Sequence, residues 1–280
     1  MTAGKKRIRF RTNAKLTIGL LLTLCLLLTA AVSALWTPWP TTELDVLAKL
    51  QPPGEEHWLG TDSLGRDVAS LLMAGAQVSI WVGLVAVAIG MGAGVLLGLW
   101  AAARGGWVDE LLMRGADLGF AFPAILTALL FTAVFGPGIE IAIVAIGLHA
   151  VPTFARVTRA SAREVWSRGY CLAARASGHG RWNITFAHVL PNVLPVLIVQ
   201  ATIQFALAIL AEAALSYLGL GTQAPQASWG RMLAEAQTYL FSAPLLAVFP
   251  GLALMLAVLG LNLLGDGLRD LADPKLVRGR

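Results

Sequence analysis

The chain has 280 residues, of which 57% are hydrophobic and only 13% charged, with a net charge of +5. Soluble domains carry about a quarter charged residues and keep much of their surface wet, so this composition excludes a water-soluble globule of this size. A pI near 9.6 would suit nucleic acid, but the mean hydropathy is +0.71 and the basic residues sit between apolar runs, which is the signature of membrane topology rather than of a nucleic-acid partner.

In chain order, a basic tail (1–15) carries Lys5, Lys6, Arg7, Arg9, Arg11 and Lys15 with no acid. The uncharged run 16–35 follows. It exceeds the about 7–15 residues of a signal peptide's apolar region, so a retained first span is expected over a cleaved leader. The loop 36–77 is acidic, with Glu43, Asp45, Glu55, Glu56, Asp62 and Asp67 against Lys49 and Arg66. A second span runs from Val78 to about Ala103, and its glycines let a neighbouring helix come close. A third, Leu118 to Phe135, contains Pro123, which predicts a kink or a break. A fourth, Ile141 to about Ala155, carries His149 and Pro152. A fifth, Leu194 to Leu218, carries Gln200, Gln204 and Glu212, and a sixth, Ala243 to Leu264, carries Pro250 and Asn262.

The intervening loop 156–192 holds six arginines, Arg156, Arg159, Arg163, Arg168, Arg175 and Arg181, against Glu164. The tail 271–280 is basic as well. Lys and Arg concentrate on the cytoplasmic side, so both tails and the 156–192 loop are expected inside. An even number of spans requires the same. The fold class expected is an all-α membrane protein with six transmembrane helices in the lipid bilayer and both termini cytoplasmic. Five of the helices form a core over 78–270, with an outer loop at 219–243. Cys25 lies in an apolar run and Cys171 in the basic loop, so no disulfide is expected, and no spacing suggests a metal site.

Within the basic loop, residues 169–178 have high helix propensity and end at Gly178, a plausible helix cap that needs either a positive φ or close approach. Gly180 gives a second break, and Ile184, Phe186, Val189 and Leu190 precede Pro191. Two short helices joined by a turn are expected, as a docking surface for another protein or as an interfacial linker.

Ionisable residues within spans are often functional. Glu212 can line a pathway or pair with another helix, and Gln204 is a further pathway candidate. His149 and Asn262 read as hydrogen-bonded helix-interface residues. The outer segment Gly60-Thr61-Asp62-Ser63-Leu64-Gly65-Arg66-Asp67 reads as a tight polar turn or a solvated loop before a helix start. The stretch 223–244, with Trp229, Gly230, Arg231 and Glu235, predicts a short amphipathic helix that lies on the surface or dips toward the pore. No paired acid and base marks an enzyme, and no phosphate-binding Gly-x4-Gly-Lys-Ser/Thr loop occurs.

Leu172-Ala173-Ala174, Gly178 and Leu190-Pro191 are similar to the "EAA" loop of ABC importer permeases, Glu-Ala-Ala-x3-Gly-x9-Ile-x-Leu-Pro. Two positions depart: Leu172 replaces the glutamate and His188 the isoleucine. The 60–67 segment resembles the "GTDxxGRD" stretch of the dipeptide/oligopeptide/nickel permeases. Ser216-Tyr-Leu-Gly-Leu-Gly221 with Pro225 and Ser228-Trp-Gly230 resembles another segment of that family, as do Phe249 to Ala253 and Asn262 to Asp270 with Asp273-Pro274. The resemblance covers about 16–276 and points to the second, C-type subunit of a heterodimeric pair with a type I importer fold.

The resemblance implies a permease for peptides, nickel or nickel chelates. It implies as partners a second permease, an extracytoplasmic substrate-binding protein and two ATPase subunits, which would hold the ATP and Mg. It makes Leu172, Ala173, Ala174, Arg175, Ala176, Gly178, Leu190 and Pro191 the ATPase-coupling loop. Gly60, Thr61, Asp62, Gly65, Arg66, Asp67, Trp229 and Gly230 become residues that face the binding protein or form a gate. A stand-alone secondary transporter is the competing class.

Overall fold

A computed structural model describes residues 14–272, and these are helical except for turns, a structured outer loop and one isolated bridge. The basic tail residues before Ala14, and Asp273-Pro274 with the basic residues after them, lie outside the described residues. Among the described residues, five helices are long and apolar enough to cross a bilayer: α1 (Ala14–Ser33), α2 (Val68–Arg104), α5 (Ile139–Trp166), the run Arg181–Tyr217 that ends in α8 (Leu190–Tyr217), and α10 (Leu245–Ala272).

The third span is not one helix. It is a pair, α3 (Gly106–Ala121) and α4 (Ala124–Phe135), bent by 83°. Phe122 and Pro123 between them are extended, with ψ of 123° and 137°. Proline removes the backbone N–H and forces the preceding residue out of the helical region, which accounts for the break. The 12 residues of α4 are only about 18 Å long, too short to cross a hydrocarbon core of about 30 Å alone.

Helix ends also differ from the apolar runs. The second helix begins ten residues early, at Val68, because Asp67 caps it by accepting the Ser70 N–H at 2.8 Å. The 36–77 loop therefore ends at Asp67. The fourth span continues past Ala155 to Trp166, so Arg156, Arg159 and Arg163 sit on a helix instead of in a loop. Polarity ends an apolar run but does not end a helix.

A close seam joins α2 to α5. A Cβ added at Gly90, Gly94 or Gly98 would lie 2.6 Å from Ala150 Cβ, 2.5 Å from Phe154 Cβ and 2.5 Å from the Ala155 oxygen. These glycines, four apart, form one face, and small residues at that spacing let two backbones approach in a membrane. The first helix is peripheral and packs on α10, with Gly19 against the Leu264 backbone and Gly260 against Leu22. Its outer leucines, such as Leu20, Leu21 and Leu28, are exposed. Asn262 is also exposed on α10 and hydrogen-bonds no described residue, contrary to the expectation that it bridges helices.

Candidate functional site: the basic-end loop, the outer cap and a membrane cavity

The basic loop folds into α6 (Gly169–Ala176), a turn, and α7 (Arg181–Ile184), which runs through a π-helical turn at Thr185–Val189 into α8. The C-terminus of α6 is closed by the Ser177 N–H to Ala173 oxygen at 2.9 Å, Gly178 to Arg175 at 3.1 Å, and His179 to Ala174 at 3.1 Å. Gly178 has φ +84°, and a Cβ there would meet nothing within 4 Å. Of the two reasons for a glycine, the positive φ is the one this chain requires. Pro191 follows the π turn, where the widened backbone spares the clash that a proline makes in a regular helix.

The element has an anchored face and a free face. Cys171, Ile184 and Val189 are buried with Phe154, Val165 and Leu197. Burial pushes the Cys171 thiol above its usual pKa. Leu172, Ala173, Arg175, Ala176, Gly178 and Pro191 are exposed, while Ala174 and Leu190 are half-buried. Leu172, where the resembled family has glutamate, is 56% exposed. Trp182 and Phe186 stack at 6.1 Å, and both are exposed. Together these present an apolar and basic surface of three short segments.

Sequence reasoning missed what carries this element. Asp109 on α3 is 4% exposed and is held by Arg159, whose Nη2 donates at 2.7 Å, and by Arg163. Arg156 pairs with Asp117 and lies 4.2 Å over the Phe120 ring. So α3 is laced to the end of α5 that leads into α6. Three arginines at near-helical spacing were the available signal, hidden by reading them as a loop.

At the opposite end, all eight residues expected to face a binding protein or form a gate are buried. Asp62 Oδ1 accepts the Leu64 and Arg66 N–H groups at 2.8 and 2.9 Å, and Arg66 Nε donates to Asp62 Oδ2 at 2.7 Å. Arg66 Nη2 reaches Glu235 Oε2 at 2.9 Å, on α9 (Trp229–Ala236). Asp67 also holds His57 Nδ1 at 3.0 Å. Gly65 has φ +80°, with the Asp45 oxygen where a Cβ would stand. Trp229 Nε1 donates to the Leu72 oxygen at 3.0 Å, and Gly230 sits on the Ala213 backbone. These residues build the cap from within. The loop's exposed face is carried by others, such as Leu47 and Trp58.

Glu212 is fully buried. Its Oε1 accepts from Ser216 Oγ at 2.6 Å and Thr222 Oγ1 at 3.0 Å, and Ser216 Oγ accepts the Thr222 N–H at 2.8 Å. It therefore ties the outer end of α8 to the following turn and presents no pathway surface here. Gln204 does face open space. With His149 and Thr153 it lines a cavity of about 410 Å3 between α4, α5 and α8. None of the three hydrogen-bonds a described residue, which corrects the expectation that His149 is bonded at a helix interface. Among the described residues, no group of three or more His, Cys, Asp or Glu is placed to hold a metal.

Residues 94–278 match the family described as "Binding-protein-dependent transport system inner membrane component". The chain belongs to this family. It is 41% identical over 268 residues to the dipeptide transport system permease protein DppC of Alkalihalophilus pseudofirmus, covering 96% of this chain and 88% of the relative. It is 43% identical over 224 residues to the glutathione transport system permease protein GsiD of Pectobacterium atrosepticum, covering 80% and 74%. A putative peptide transport system permease of Brucella suis is 43% identical over 260 residues, covering 90% and 86%. The fold is similar to a chain of the methionine ABC transporter MetNI in an inward-facing conformation, with a TM-score of 0.59, 20% identity, and coverage of 72% of this chain and 96% of that one. The chain is thus a multi-pass inner-membrane permease component with an ABC permease fold.

Proposed function

We propose that this chain forms half of the translocation pathway of an ATP-driven importer of peptides, supplied by an extracytoplasmic binding protein. A second permease completes the pathway. Two ATPase subunits carry ATP and Mg, and one of them docks on the α6 surface of this chain, with the basic end and both termini in the cytoplasm. The observation that carries the reading is the split of the 169–191 element into a buried anchor and an exposed apolar, basic face at the end of α5. A free linker would not need Cys171, Ile184 and Val189 packed into the bundle. ATP can drive transport only by binding one state of the assembly better than another. Rigid-body motion of α6 with α5 is the means by which that difference reaches the membrane.

The relatives' names support peptides, including glutathione, over nickel as the solute. The test is co-expression with candidate partners from the same cell, followed by purification and reconstitution. The expected result is a complex holding both permeases and both ATPases, with dipeptide uptake that needs ATP hydrolysis and binding protein. Uptake by this chain alone, driven by an ion gradient, would overturn the proposal in favour of a secondary transporter.

A further inference from the structure

The cavity between α4, α5 and α8 combines features that helix packing alone does not explain. Its wall is mostly alanine, leucine and isoleucine, and about 410 Å3 lies within the size of small-molecule sites. His149 and Thr153 stand four residues apart on α5, hence on one face, and Gln204 joins them from α8. All three lack hydrogen bonds to described residues. Polar side chains inside a membrane segment are costly and ordinarily find partners, which lipid tails do not provide. The alanines that face them, including Ala128, Ala208 and Ala211, keep the space open. The 83° bend before α4 sets Ala124 and Ile125 as one of its walls.

We infer that this cavity is a subsite for the transported solute, taking an apolar peptide side chain against the alanine and leucine wall. Gln204 carries both an amide donor and a carbonyl acceptor, which matches the paired N–H and C=O of a peptide unit. His149 and Thr153 complete the polar edge. A lipid tail would leave the polar edge unbonded, and water alone would leave the apolar wall wet. A solute with both characters satisfies both. The inference rests on the importer reading above and adds to it a site and a side-chain preference.

The experiment uses the complete importer with its binding protein in proteoliposomes, with radiolabelled Ala-Phe and Gly-Gly as probes. Filling the cavity with Ala211→Leu is expected to lower the ratio of Ala-Phe to Gly-Gly uptake by roughly tenfold or more, the scale on which a crowded apolar pocket discriminates. Gln204→Leu is expected to raise KM for both probes. The binding protein is unaltered, so its own affinities cancel in the ratio. An unaltered ratio in a variant that assembles normally overturns the subsite.

A second measurement covers a variant that fails to assemble. A photoreactive Ala-benzoylphenylalanine dipeptide, trapped in the wild-type complex during turnover, should label Ile146 or Leu207. Labels confined to other helices, to the partner permease or to lipid also overturn it. Uptake of neither dipeptide by the wild-type complex would remove the peptide-importer reading itself, a result distinct from normal uptake with an unaltered ratio.

Discussion

A side chain at Gly178 would touch no neighbour, yet its φ of +84° excludes most L-residues at low energy. That separates two roles a glycine can play. If the backbone alone sets the requirement, Gly178→Asn should be tolerated, since Asn enters this region readily, whereas Gly178→Val should strain the turn by at least about 1 kcal/mol. The expected readout is ATPase activity uncoupled from transport in the valine variant and near-normal coupling with asparagine. Equal damage from both would mean that a partner approaches the glycine closely. Glu212 makes a different kind of prediction. Glu212→Gln keeps an acceptor for Ser216 and Thr222, while Glu212→Leu leaves two buried hydroxyl protons without their acceptor. At about 1–3 kcal/mol for each buried group left unsatisfied, the leucine variant should melt well below the wild type in detergent. The glutamine variant should melt close to it.

At the scale of elements, ion pairs lace α3 to α5 at the basic end. Asp109 is enclosed and accepts from two arginines, whereas Asp117 and Arg156 are both about half exposed or more. Exposed pairs contribute about 0–1 kcal/mol, and a charge-assisted bond to an enclosed group about 1.5–3. Asp109→Asn should therefore loosen α3, and Asp117→Asn should not. Trypsin cleavage after Arg104, at the α2–α3 connection, is the measurement; it should rise in the first variant alone. Because α5 leads into α6, the same contact ties α3 to the α6 element. The Gly90, Gly94 and Gly98 seam ties α2 to α5 as well.

At the scale of the whole molecule, Arg66 is a side chain that crosses the outer cap. Arg66 joins the 60–67 turn to Glu235 on α9, and its side chain is 7% exposed. Removing one partner of an enclosed ion pair leaves the other charge uncompensated, with losses that reach about 3–5 kcal/mol in full burial. Glu235 is only about two-thirds enclosed and keeps Arg231 Nε at 2.8 Å, so Arg66→Gln strands chiefly Asp62 and should lose less than that. Arg66→Gln combined with Glu235→Gln should lose less than the sum of the single changes, because the two side chains touch. Thermal melting of the four proteins measures this coupling, and strict additivity would show that the Arg66–Glu235 contact does not hold α9.

Apolar length, the glycine and proline positions and the asymmetry of Arg and Lys are properties of the chain itself. From them follow the membrane class, the span count, the break at Pro123 and the turn at Gly178. Helix ends were less legible, because Asp67 caps a helix within an acidic loop and Arg156 to Arg163 continue one beyond the apolar run. Which way a polar side chain faces was not legible at all. Glu212 and Gln204 lie two turns apart on α8, and the same periodicity permits either to face a pathway. Only the packing of the 218–228 turn over Glu212 encloses it, and only the bend of α4 away from α3 leaves open space before Gln204. Both are contacts between residues distant in sequence, so the tertiary structure decides them.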